Sequence, residues 1–132
     1  MSTATEILQS CYTIAIVGLS ADETRPSYRV GKYLQEQGYK VIPVNPKETR
    51  ILGCTCYPDL KTIPEKVDVV DIFRRSEDVP PIVDQAIQIR AEAVWMQEGI
   101  KNEEAAQKAR LAGMKVVQDR CMLKEHQKIN NQ

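Results

Sequence analysis

An α/β fold, a doubly wound parallel sheet in three layers forming a single domain over residues 1–132, is what this sequence predicts, on three observations. Short apolar runs rich in β-branched residues, of the kind buried on both faces of a parallel sheet, recur along the chain. Segments with helical spacing of apolar residues separate them, so each crossover is long enough to join parallel strands. The length suits one core closed without disulfides or metals. With 42% apolar and 27% charged residues, burial is sufficient to offset the entropy of ordering the chain.

In chain order, Thr5 to Ser10 reads as a short helix before the first strand, Thr13-Ile-Ala-Ile-Val-Gly18. From Ser27 to Gln37, Val30, Tyr33 and Leu34 recur at helical spacing, with Ser27 placed to cap the helix and Gly38 to stop it. Lys40-Val-Ile-Pro-Val44 is a second, short strand; Pro43 removes a ladder donor and belongs near its end or beside a short neighbour. Asn45 to Pro64 is mostly loop, with a brief strand at Cys54 to Tyr57. Val67 to Phe73 is the next strand, after which Ser76, followed by Glu77 and Asp78, caps a helix through Ile82, Val83, Ala86 and Ile87. Ala91 to Met96 is another strand. Asn102 caps a helix carrying Ala105, Ala106, Ala109 and Leu111 that stops at Gly113, and Met114 to Val117 is a last parallel strand before a polar tail.

Eighteen basic and eighteen acidic side chains cancel, which excludes a chain-wide electrostatic grip on nucleic acid or anionic lipid and makes any anion site local. One Phe and one Trp provide no aromatic-interleaved basic surface for single strands, and Trp95 reads as core. The longest apolar run, Ile14 to Leu19, is far too short to span a membrane, and Met1 to Ser10 has no signal or transit pattern, so the expected location is cytoplasmic. Cys11, Cys54, Cys56 and Cys121 are too few and too irregularly spaced for a disulfide scaffold and read as reduced thiols. Cys54-Thr-Cys56 with Cys121 and His126 lacks the spacing of a zinc knuckle. His126, the only histidine, lies in the polar tail, where no nucleophile-and-base pair assembles; no catalytic residue is expected.

Ligands of open parallel sheets bind beyond the carboxyl ends of the strands, where a chain reversal opens a crevice. At the first such end, Gly18-Leu-Ser-Ala21 begins a turn longer than the dinucleotide fingerprint. Its amides and the start of the next helix suit a phosphate, with Arg25 or Arg29 adding charge; the plainer reading is a glycine that relieves a tight turn. At the second, where a NAD-binding domain places an acid for the ribose diol, stand Asn45, Pro46 and Lys47. These fit an anion, either the 2′-phosphate of NADP or the 3′-phosphate of coenzyme A, with Lys47 as a point charge or else merely solvated. Arg74 and Arg75 follow the third long strand toward the same edge, as part of a polyanion site or with one arginine paired to Glu77 or Asp78. Met96-Gln97-Glu98-Gly99 ends the next strand; Gln97 and Glu98 suit an amide or a ribose, and Gly99 permits close backbone approach.

Taken together, Ile16-Val-Gly-Leu-Ser20, Arg25-Pro-Ser-Tyr-Arg-Val30, Val41-Ile-Pro-Val-Asn-Pro46, Val69-Val-Asp-Ile-Phe-Arg74 and Trp95-Met-Gln-Glu-Gly99 closely resemble the small stand-alone CoA-binding proteins. The match spans about residues 12 to 126. That family in turn resembles the CoA-binding domain of the succinyl-CoA ligase α subunit, with the same Rossmann-like sheet. The resemblance implies that Gly18, Leu19, Ser20 and Ala21 contact the CoA phosphates, that Lys47 lies near the nucleotide phosphates, and that Met96 to Glu98 line the site. It also implies that Phe73 and Arg74 occupy the loop flanking the adenine region. The ligase carries its phosphorylated histidine in a second domain, which this chain lacks along with a suitable histidine, so ligase activity does not carry over.

The leading expectation is therefore non-catalytic binding of coenzyme A or an acyl-CoA, the protein partner being unknown. The alternatives are a small NADP-dependent oxidoreductase on the same sheet, against which the long first turn counts, and an interaction domain without a small ligand, whose basic loops are simply solvated.

Overall fold

The computed structural model describes residues 2–131. The chain runs α1 (Thr3–Ser10), β1 (Thr13–Val17), α2 (Pro26–Glu36), β2 (Lys40–Val44), β3 (Arg50–Ile51), β4 (Cys54–Thr55), β5 (Val69–Ile72), α3 (Val79–Gln88), β6 (Ala93–Met96), α4 (Glu103–Leu111), β7 (Lys115–Val117) and α5 (Met122–Asn130). Five strands form one sheet in the order β2-β1-β5-β6-β7, with every pairing parallel; β3 and β4 make a separate small hairpin. The expected doubly wound α/β architecture is present. From β1 the chain winds one way to β2, then crosses back to lay β5 on the other side, so the topological switch lies between β1 and β5.

Helices cover both sheet faces. Val17, Ile72, Val94 and Met96 pack beneath α3 and α4, and Ile14, Ile16, Trp95 and Leu34 belong to the opposite cluster with α1, α2 and α5. Full burial of an aliphatic or aromatic side chain here contributes about 1.5–3 kcal/mol. Pro43 sits on an edge strand, as its missing donor requires: it faces Ile16 of β1, and on the open side its carbonyl accepts the N–H of Tyr57.

Several expected details are corrected. Ser27 does not cap α2; the cap position is Arg25, Pro26 opens the helix, and the buried Ser27 hydroxyl instead accepts the amide of Ser20. Ser76 does not cap α3 either. It starts a single 3-10 turn (Ser76–Asp78), and its hydroxyl accepts the amide of Lys101, while a proline in the first turn of α3 supplies the helix start. The brief strand at Cys54 extends only to Thr55, although Tyr57 bridges to Val44. Leu111 is not on the buried face of α4: the three alanines fill that face and Leu111 is 80% exposed. The polar tail is the helix α5, whose fully buried Met122 joins the core beside Leu123 and Ile129. No helix among the described residues is long and apolar enough to cross a membrane.

Candidate functional site

The switch point gathers the carboxyl ends of β1, β2 and β5. Gly18 leaves β1 with a φ of 89°, and its amide donates to the carbonyl of Val44 on β2. A Cβ at this position would overlap the carbonyl oxygen of Phe73, so the turns after β1 and β5 pass closer than any other residue allows. The Arg74 side chain lies over this turn, its Nε 3.4 Å from where that Cβ would stand.

The turn itself is held by its own side chains. The Ser20 amide donates to Ser27 Oγ, the Asp22 amide to Ser20 Oγ, and Thr24 gives both its amide and its hydroxyl to Asp22 Oδ1. These bonds hold the exposed Asp22 carboxyl below its ordinary pKa, the Thr24 hydroxyl contributing most. Asn45 ties the second loop to the first: its Nδ2 donates to the Leu19 carbonyl and its Oδ1 accepts the Lys47 amide. The expectation for this turn therefore divides. The amides of Gly18 and Ser20 are consumed internally, whereas those of Leu19 and Ala21 have no hydrogen-bond partner among the described residues. They lie beside the first turn of α2, where Pro26 has no N–H, the Arg29 amide bonds the Arg25 carbonyl, and the amides of Ser27 and Tyr28 have no partner among the described residues. Leu19 is fully buried, backbone included, so of these two amides only that of the exposed Ala21 is open to a ligand.

Around this cradle stand Arg25, Lys47 and Arg74, all exposed and none in an ion pair among the described residues, whereas Arg29 lies along α2 with Lys32 and Glu36. Arg75 is the arginine that pairs with acids, its Nε 3.2 Å from Asp78 and 3.7 Å from Glu77. Pro46 holds Lys47 at the exposed rim.

Met96 to Gly99 lie one strand further along, past β5. The Met96 side chain is fully buried under α3 and α4. Gln97 is buried, and its Oε1 accepts the Met122 amide at the start of α5. Glu98 takes two bonds from Lys124 Nζ at 3.0 and 3.1 Å, and the Gly99 amide donates to Asp119. The polar side-chain groups expected for a ligand here are engaged by the segment around the start of α5. Trp95 is core, its indole N–H donating to the Arg120 carbonyl.

The structure adds one group that the reading of the sequence passes over. Asp71 of β5 faces Ile16 on β1 and Trp95 on β6; it is 0% exposed, and neither carboxylate oxygen has a hydrogen-bond partner among the described residues. Burial raises its pKa well above the ordinary carboxylate range. An acid inside a doubly buried strand was the available signal. His126 sits far from the crevice, its Nδ1 2.7 Å from the Tyr33 hydroxyl and its ring edge-on to Tyr33 and Tyr39. The four cysteines are free, and no group of metal-ligating residues forms among the described residues.

Comparison with known proteins gives three kinds of likeness. The profile of a family described as CoA binding domain matches residues 12–127. An uncharacterized protein of Bacillus subtilis, YneT, is 40% identical over 121 residues, covering 92% of this chain and 90% of that protein. The ADP-forming acetate–CoA ligase I of Archaeoglobus fulgidus is 31% identical over 119 residues, but that match takes up 83% of this chain and only 17% of the ligase. Among solved structures, a hypothetical protein from Pyrococcus horikoshii OT3 superposes with a TM-score of 0.94 at 42% identity, covering 98% of this chain and 93% of the other.

Proposed function

The chain belongs to the CoA binding domain family, and from that premise we propose that it binds coenzyme A or an acyl-CoA at the carboxyl edge of its sheet, across the β1–β5 switch point. In this reading the whole chain is one such binding unit, cytoplasmic, holding its ligand without acting chemically on it. The observation that carries the reading is the combination at one edge of the open Ala21 amide, a helix N-terminus and three cations in no ion pair among the described residues, with Asn45-Pro46-Lys47 where a dinucleotide site would hold an acid. The Ala21 amide and the start of α2 take the diphosphate. Lys47 takes the phosphorylated ribose, and Arg74 closes over the turn near the adenine. The pantetheine arm then runs along the strand ends toward Met96 and Gly99.

Thermal unfolding with CoA, 3′-dephospho-CoA, NADP and NAD in parallel tests this. A ligand at about 100 times its Kd stabilises the folded state by about 2.7 kcal/mol, a shift of roughly 10 °C for a chain of this size. The expected order places CoA well above dephospho-CoA and both dinucleotides. Lys47→Glu should weaken CoA by about tenfold or more, since it replaces a charge-assisted contact by repulsion. A shift that is largest with NADP points to the oxidoreductase reading, and no shift with any of the four removes the small-ligand reading.

A further inference from the structure

Beyond β6 the carboxyl edge ends at β7, and there α4 and α5 flank a cleft of about 620 Å³ lined mostly by polar and charged side chains. Its charges do not cancel where it matters. Three of its four acids are in ion pairs, Glu98 with Lys124 at 3.0 Å, Glu103 with Arg110 at 3.0 Å and Glu125 with Lys128 at 2.8 Å; the fourth, Asp119, accepts the Gly99 amide at 2.6 Å, so five cations against four acids leave one positive charge in excess. Of the five cations, Lys101 and Arg120 alone are left without an ion pair among the described residues.

Both leftover cations belong to turns at the carboxyl edge, and both are carried on fixed backbone. The Lys101 amide donates to Ser76 Oγ at 3.0 Å. The Arg120 amide donates to the Met96 carbonyl at 3.4 Å, while its own carbonyl accepts the Trp95 indole at 2.8 Å. From the switch point at β5 the cleft is two strand spacings away, roughly 10 Å along the edge, a distance that an extended pantetheine arm covers.

Resting on the coenzyme A reading above, we infer that this cleft receives the acyl end of the ligand and selects thioesters whose acyl chain ends in a carboxylate, with Lys101 and Arg120 as its receptors. An alkyl chain placed here strips water from charged walls and finds little apolar surface in return, whereas a terminal carboxylate meets two cations that are in no ion pair among the described residues. Arg120 offers the planar fork that a carboxylate matches with two bonds; Lys101 adds a point charge.

Titration calorimetry on the full chain with free CoA, glutaryl-CoA and pentanoyl-CoA tests the inference, because the two thioesters share chain length and differ in the terminal group. Glutaryl-CoA should bind about tenfold more tightly than pentanoyl-CoA. The double variant Lys101→Gln, Arg120→Gln should abolish that preference, and Arg90→Gln, at the opposite edge of the sheet, should keep it. Pentanoyl-CoA binding as tightly as glutaryl-CoA while free CoA binds overturns the inference and leaves the coenzyme A reading standing. A preference that survives the double variant overturns the assignment to this cleft. Failure of free CoA itself to bind overturns both.

Discussion

Asp71 places an ionisable group at the centre of the sheet, flanked by Ile16 and Trp95, where neither oxygen finds a partner among the described residues. Burial disfavours its charged form, so the folded pKa lies above the unfolded one, near 3.9. Its ionisation therefore adds no cost below about pH 4, and folding stability declines as pH rises toward the folded pKa, by at most about 1.4 kcal/mol per pH unit. Asn carries the same unpaired polarity but cannot ionise. Denaturant unfolding from acidic to mildly alkaline pH should show Asp71→Asn gaining on the wild type as pH rises, with the difference closing near pH 4; a difference independent of pH would mean a solvated, ionised Asp71. Gly18 is constrained in the opposite sense, by backbone rather than charge. Gly18→Ala combines a left-handed φ with overlap on the Phe73 carbonyl and should lower stability by about 1–3 kcal/mol in thermal unfolding, while splaying the β1 and β5 turns apart. A glycine after a core strand was legible in the sequence, but the Phe73 carbonyl that makes it necessary comes from a residue 55 positions later.

Among the elements, α5 was the least legible and has the widest reach. Its apolar residues, Met122, Leu123 and Ile129, are too sparse to mark a helix by periodicity, so it reads as a polar tail. In the fold it joins the loop after β6, through Gln97 and Glu98, to α2, through the pairing of His126 with Tyr33. Met122→Ala should cost about 2–5 kcal/mol by denaturant unfolding, the range for emptying a fully buried large side chain. Burial lowers the His126 pKa, so its neutral ring is the form the fold accommodates. The stability tied to that ring is present above the ordinary histidine value and is lost as pH falls below it, a dependence that His126→Gln should flatten. The start of α2 shows a subtler limit. Ser27 has the chemistry of a cap, but Pro26 already starts the helix, and the hydroxyl is used instead to hold the Ser20 turn. Asn102, with no proline nearby, does cap α4 by accepting the Ala105 amide.

At the scale of the whole molecule, zero net charge conceals an uneven distribution: Arg25, Lys47 and Arg74 stand around one end of the sheet, in no ion pair among the described residues. Affinity for CoA should accordingly be set by local rather than net charge, and calorimetry should find it weakened by about tenfold or more between about 0.1 and 1 M salt, as the screening length falls from about 10 Å to 3 Å. Salt-independent affinity would place the ligand away from these cations. The sequence by itself determined the alternation of strand and helix, the confinement of Pro43 to a short second strand, and the lysine rather than an acid in Asn45-Pro46-Lys47 after β2, because each follows from periodicity or from the chemistry of adjacent residues. The tertiary structure alone decided which amides of the Gly18 turn stay open, how α5 closes over the β6 end, and which of the cations in the β7 cleft are left without acids. Those outcomes depend on which groups from distant segments meet, and apolar patterning, which dictates only that a face be buried, does not state what it is buried against.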